Sequence, residues 1–260
     1  MGIVQSIREC YRYRVLIQSL VSRQLQARYR GSVLGFFWTF LNPLLLMAVY
    51  SLVFTIYMRF EMEDYGAFMF TGLLPWLWFA SSLSDGTASI VNSGSLITRA
   101  MFPPVVLPVT AVLVNFWNFV FSLPMLYLVF LIMKVTPSWT ILFLPAIMLV
   151  QFVLSLGFTL FLASLNVQYR DVHHLLGNIL TFWFFLCPVL YPLEKVPGKL
   201  RLVALVNGMG SLVTAYQDVL FFGRTPDWGL LLLVLAAGVL ILLVGDWAFR
   251  SRRENFAEYL

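Results

Sequence analysis

From Val33 to Tyr57 the chain carries no charged residue. About 20 consecutive apolar residues cross the hydrocarbon core of a bilayer as a helix. Within lipid a helix is the only single-segment structure that satisfies its own backbone. Arg23, Arg28 and Arg30 stand just before this run. Positive charge of that kind marks the cytoplasmic flank of a span. One stretch therefore predicts both the medium in which the chain folds and the direction in which it enters.

The rest of the sequence agrees with that medium. The chain has 260 residues, 60% of them hydrophobic and 11% charged, against about 25% charged in soluble domains. It reads as an all-α integral membrane protein. The net charge of +5 is not a nucleic-acid signal, because the excess lies near the ends that face the membrane. The aromatic content, 17%, predicts belts at the two interfaces, with a minority of rings free to line a pathway. Cys10 and Cys187 fall in different segments, so no structural disulfide is expected. The polar, arginine-bearing N-terminus has no short apolar core followed by a small-residue cleavage site, so no cleavable signal peptide is expected.

Six spans are predicted, at 33–57, 66–91, 105–133, 139–165, 175–193 and 229–249, in a single membrane domain over 1–260. Pro43 inside the first predicts a kink or a late helix start. Residues 1–30 read as one amphipathic helix in the plane of the interface: Arg8, Arg12, Arg23 and Arg30 recur on one side and Ile3, Ile7 and Leu20 largely on others. A solvated basic lead-in is the plainer alternative. Residues 250–260 form a basic tail. Both ends being basic, both are expected on the cytoplasmic side, which requires an even number of crossings. That bears on Val203 to Phe222, apolar enough for a seventh span but interrupted by Asn207, Gly208, Gly210, Gln217 and Asp218. It is expected to dip in from outside as a re-entrant segment, against protein or a water-filled cavity.

Several short stretches bear on function. No phosphate-cradling G-x-x-x-x-G-K-[ST] loop is present, so no cofactor is expected in this chain. If transport is driven by ATP, then ATP and Mg²⁺ sit on another polypeptide. The loop Ser93 to Pro104 is short and mainly apolar. Leu96, Ile97, Met101 and Phe102 can form one face of a docking helix with Arg99 as its charge, or can rest on the interface. Arg170 and Asp171 suit a helix cap with a salt bridge, or a partner contact. His173 and His174 lack further ligands for a metal site. Asp246 lies one turn before Arg250, and an (i, i+4) pair explains it. Asp85 lies beside Ser81, Ser82, Ser84 and Thr87, which line an aqueous pathway or hydrogen-bond between helices. Trp76, Trp78, Trp183 and Tyr191 are further pathway candidates, because aromatic rings stack on sugars; for any one of them an interfacial belt is the stronger account.

The run Arg28-Tyr29-Arg30-Gly31-Ser32-Val33-Leu34-Gly35, followed by Trp38 and Asn42-Pro43-Leu44, resembles the start of permease subunits of ABC exporters for lipid-linked polysaccharides, the O-antigen, teichoic-acid and capsular types. Gly72 to Trp76, Leu96 to Pro108, Asn166 to Asp171, Pro188 to Pro197 and the tail from Phe249 agree with it in order and spacing. The resemblance implies that Leu96 to Phe102 contact a nucleotide-binding subunit present in two copies, and that two short helices near Asn207 and Gln217 act as an outer gate. The chain departs from the pattern there, with Asn207-Gly208 where Asn-Pro is common and Gln217 where arginine is common. The implied substrate is a glycan on a polyprenyl-diphosphate lipid, moved outward across a bacterial inner membrane. Arg23, Arg28 and Arg30 are suited to its diphosphate. Six helices rarely enclose a wide conduit, so a homodimer is expected. A secondary transporter, or a membrane-embedded transferase, is the rival reading.

Overall fold

The structure, a computed structural model, describes residues 2–27, 35–94, 102–253 and 256. Ten α-helices occur among them: α1 (Ile3–Arg12), α2 (Arg14–Ala27), α3 (Trp38–Leu52), α4 (Tyr65–Ala88), α5 (Val106–Met133), α6 (Leu144–Gln168), α7 (Asp171–Leu186), α8 (Gly198–Val206), α9 (Gly208–Gln217) and α10 (Trp228–Arg252). A π-helical turn, Val53–Tyr57, extends α3, and a 3₁₀ turn, Trp139–Phe143, leads into α6. With these, five helices are long and apolar enough to cross a membrane: Trp38–Tyr57, Tyr65–Ala88, Val106–Met133, Trp139–Gln168 and Trp228–Arg252.

Helix α4 is the centre of the bundle. In its most apolar stretch 83% of residues are buried, against none in α3. Its low charge and dense Phe and Trp content let it be covered on every side. Side chains of α6 reach across to the α4 backbone at three levels. Gln151 Nε2 donates to the Pro75 carbonyl at 2.8 Å, Thr159 Oγ1 to Ser82 at 3.3 Å and Asn166 Nδ2 to Thr87 at 3.0 Å. Such bonds contribute about 0.6 kcal/mol each in a membrane, and their greater effect is to fix register. Without a hydrophobic drive between helices in lipid, close approach of small residues takes over. Gly157 and Gly245 do this where α6 meets α10. A Cβ on Gly157 would stand 2.7 Å from the Leu242 nitrogen, and one on Gly245 would strike the Gly157 carbonyl.

Helices α6 and α10 run parallel. Phe143 meets Trp228 at their starts, with ring centroids 5.2 Å apart. Leu160, Val167 and Phe249 share a second cluster at their ends, with Ile17, Val21, Ile90 and Val105 to Leu107. That cluster defines one end of the bundle, where α1, α2 and the end of α10 gather. The opposite end holds the starts of α4 and α6, the close of α5, and α9.

The structure revises two expectations. The N-terminal segment is two helices, not one, because Tyr13 leaves helical geometry (φ −98°, ψ 19°). The break lets α1 lie on α10 while α2 turns its Ile17 and Val21 onto the start of α5. The predicted fifth span, 175–193, is not one long helix. Helix α7 stops at Leu186, ahead of Pro188, and a buried non-helical stretch runs through Val189 and Leu190. It is therefore not among the five long helices. The ambiguous segment 203–222 breaks at Asn207 into two helices, of which α9 is almost wholly buried.

Candidate functional site

The two outer-gate candidates converge on the stretch that interrupts α7. Asn207 adopts extended backbone (φ −67°, ψ 104°), ends α8 and caps α9 by accepting from the Met209 N–H at 3.2 Å. The same carboxamide oxygen accepts from Trp183 Nε1 at 2.6 Å, and its Nδ2 donates to Cys187 Sγ at 3.2 Å. At the other end of α9, Gln217 Nε2 donates to the Pro188 carbonyl at 2.8 Å. Gly72 of α4 makes room for it, since a Cβ there would stand 2.8 Å from that nitrogen. Tyr65 Oη donates to the Leu190 carbonyl at 2.8 Å. Apart from the cap on α9, each of these bonds holds backbone or side chains between residues 183 and 190. The neutral amide of Gln217, where an arginine was the expected pattern, suits a carbonyl acceptor with no buried charge to compensate.

The aromatic candidates divide between two faces of α4. Trp76 is buried with its centroid 6.5 Å from Trp183 and 5.6 Å from Phe184. Trp78, two residues on and therefore on the far side of the helix, stacks on Phe119 at 5.1 Å. Trp76 and Trp183 are brought together and Trp78 is not. Tyr191 turns back to donate to the Phe185 carbonyl at 2.8 Å.

Beyond α9 lies a charged rim. Arg224 pairs with Glu194 at 3.3 Å, and Lys195 Nζ lies 3.8 Å from the centre of the Phe60 ring. Burial pushes the Asp218 carboxyl up to about 6; Arg224 opposes the shift, and Glu194 and Asp227 add to it.

At the other end of the bundle, Asp85 is exposed and accepts from Asn115 Nδ2 at 2.9 Å. Two of its serine and threonine neighbours do not share its exposure. Ser82 and Thr87 are fully buried toward α6, where their carbonyls accept bonds. Asp246 pairs with Arg250 at 3.0 Å, as their spacing predicts. Ser6 joins them and was not foreseen, and Glu9 pairs with Arg253 at 3.3 Å. Cys10, beside them, is pushed up to about 11 by burial, with Glu9 and Asp246 adding to it. Arg23 is exposed on α2. Arg170 and Asp171 are exposed, and Asp171 sits in the first turn of α7, where the helix dipole favours an acid. Phe102 is half-buried against the cluster that includes Ile17 and Val21. Arg28, Arg30, Leu96, Ile97, Arg99 and Met101 lie outside the described residues.

Gln151 was missed in the sequence, although a polar amide in an apolar run was signal enough for interhelical bonding; Asn166 was read as the start of a turn, and its bond to α4 was missed.

Residues 15–221 match the family described as ABC-2 type transporter. The chain is 43% identical over 98% of its length to the O-antigen export system permease protein RfbA of Myxococcus xanthus, covering 99% of that protein. It is 28% identical to a permease of the same description from Klebsiella pneumoniae, over 94% of this chain and 95% of that one. It is 22% identical to the polysialic acid transport protein KpsM of Escherichia coli, over 93% and 95% respectively.

Proposed function

The chain belongs to the ABC-2 type transporter family, and from that premise we propose that it is the membrane permease of an exporter that moves a polysaccharide out of the cell. The observation that carries the reading is the end-to-end relation to an O-antigen export permease, 43% identity with neither chain extending past the other by more than a few residues. The substrate is a glycan of the O-antigen class on a polyprenyl-diphosphate lipid. ATP and Mg²⁺ belong to a separate ATPase, present in two copies, and the permease does no chemistry of its own. Two permeases assemble as a homodimer. Exposed apolar side chains on α3 and its π turn (Leu45, Val49, Ile56) and on α7 (Ile179, Phe182, Phe185) are available to lipid and to a second copy.

The parallel course of α6 and α10 supports six crossings. A chain that leaves α6 at one end and enters α10 at the other must return between them. Helix α7, with 16 residues, rises about 24 Å at 1.5 Å per residue. The Cys187 to Pro192 stretch completes a hydrocarbon core of about 30 Å. Both termini then lie on one side, the cytoplasmic side of the inner membrane by their arginines. Helices α8 and α9 re-enter from outside, and Asn207 and Gln217 gate that mouth. Helix α1 turns Val4, Ile7 and Tyr11 outward and buries Ser6, as an interfacial helix does. Arg23, Arg28 and Arg30 receive the lipid diphosphate, and Leu96 to Phe102 take up force from the ATPase.

The test is purification of the tagged permease from its own cells with any ATPase that accompanies it, followed by ATP hydrolysis in nanodiscs with and without lipid-linked glycan. Stimulation by the glycan is expected. An unmodified permease that retains no ATPase overturns the reading.

A further inference from the structure

Helix α1 meets the end of α10, where Ser6 bonds to Asp246 and Arg250. It therefore lies at the level where a helix long and apolar enough to span a membrane leaves the hydrocarbon. Around α1 the residues divide by helical period. Ser6 is buried against α10, while Val4, Ile7 and Tyr11 form an apolar face, each more than 60% exposed. Arg8 and Arg12, also exposed, stand one above the other along the edge of that face.

Arginines gather at this corner, and those of α10 and its C-terminal end are answered. Arg250 pairs with Asp246 at 3.0 Å and Arg253 with Glu9 at 3.3 Å. Gln5 joins both, donating to Glu9 and accepting from Arg250. Glu9, the one acid of α1, is thus engaged by Arg253. Arg12 has the ring of Tyr13 near it, 6.0 Å from its guanidinium carbon. Arg8 has no ion pair, hydrogen bond or ring contact among the described residues. Open space of about 440 Å³ runs along this ridge, lined among the described residues by Gly2, Val4, Gln5, Arg8, Glu9 and Arg12.

We infer that Arg8 and Arg12 bind the phosphate of an anionic phospholipid in the leaflet where α1 lies. Guanidiniums at (i, i+4) can share one phosphate, each offering paired N–H donors. Val4, Ile7 and Tyr11 lie among the acyl chains beside it. A zwitterionic head fits less well, because its ammonium brings positive charge to a ridge whose own positive charge is uncompensated. An acidic protein surface would answer the arginines but leave the adjoining apolar face in water. Arg23, on α2, is no part of this site. The site rests on the interfacial placement of α1 and not on export, so a failure of either leaves the other standing.

The probe is a phosphatidylglycerol with a diazirine in one acyl chain, photolysed with the full-length protein in phosphatidylcholine nanodiscs. Peptic peptides are then mapped by mass spectrometry. Label is expected on peptides covering residues 3–12, and unlabelled phosphatidylglycerol should displace it where added phosphatidylcholine does not. The double variant Arg8→Gln, Arg12→Gln should lower that label roughly ten-fold through the loss of both phosphate contacts. Its thermal midpoint should stay at the wild-type value, because no ion pair of the fold is removed. Arg8→Lys with Arg12→Lys should keep most of the label. Lys199→Gln with Arg201→Gln, exposed on α8, should leave it unchanged. Equal labelling of wild type and the glutamine variant overturns the site, as does equal displacement by the two lipids. A glutamine variant that keeps its label but loses a co-purifying protein makes the ridge a protein contact and overturns it too.

Discussion

Ser6 of α1 donates its hydroxyl hydrogen to the carboxylate of Asp246, 240 residues away near the end of α10. Arg250 closes the group, with Nη2 2.7 Å from Ser6 Oγ and Nε 3.0 Å from the Asp246 carboxylate. Ser6 is 8% exposed and Asp246 3%, so α1 is locked to α10 by a buried charge network. A buried pair contributes little net stability, but breaking one side of it is costly. Asp246→Ala should therefore destabilise by about 3 kcal/mol, and Ser6→Ala by about 1–2 kcal/mol. The check is a denaturation series in detergent, with limited proteolysis of α1. A double-mutant cycle should show coupling of at least about 0.5 kcal/mol; additive effects would mean that Ser6 and Asp246 do not act together.

The α6–α10 crossing predicts a different failure. Gly245→Ala places a methyl against the Gly157 carbonyl, and backbone cannot move aside as a side chain can. Overpacking of this kind costs about 1–3 kcal/mol. The comparison is Gly177→Ala in α7, where an added methyl meets nothing within 4 Å. It should leave the unfolding midpoint unchanged or slightly raised. Equal loss in both would point to a general intolerance of substitution rather than to the close crossing.

How much of this was legible in the sequence depends on range. Asp246 and Arg250 are four apart, so helical period alone paired them. Ser6 looks like any serine in a basic helix, and nothing local ties it to a residue at the other end of the chain. The break at Asn207 was legible because Asn-Gly-Met-Gly interrupts an apolar run. The break at Tyr13 was not, since no proline or glycine marks it and it answers to the packing of α2 on α5. The five long helices followed from long apolar runs that carry little or no charge. The short α7 did not, because apolarity continues past Leu186 while Pro188 and the pull of Gln217 and Tyr65 on the following carbonyls end the helix. Trp76 and Trp78 were grouped by composition and are separated by helical geometry.

Asp218 predicts a pH dependence. Its folded pKa, about 6, lies above the ordinary carboxylate value of about 3.9, so the fold favours the protonated acid. Between those values the native state binds more protons than the unfolded state, and stability falls as pH rises through the window. The groups facing it are Arg224, which favours the anion, and Glu194 and Asp227, which oppose it. Asp218→Asn should flatten the decline in thermal midpoint from pH 4 to 7 relative to wild type. An unchanged slope would assign the dependence to other groups.

The last prediction concerns Asn207, which holds three elements with one side chain. Its oxygen caps α9 and accepts from Trp183, while its nitrogen donates to Cys187. Asn207→Ala removes all three and should cost about 1–2 kcal/mol through the cap alone. The part-buried Trp183 indole N–H, left without this acceptor, adds to that. Asn207→Asp separates the functions, for a carboxylate still caps α9 and still accepts from Trp183 but cannot donate to the thiol. If Asn207 serves only as a cap, Asp should restore both stability and export. If the link to the Cys187–Leu190 stretch gates the outer mouth, Asp should restore stability while export stays low. Amide exchange over residues 187–192 should then be fast in both variants. Wild-type exchange there in Asn207→Ala would remove Asn207 from the gate and leave Gln217 and Tyr65 as its ties among the described residues.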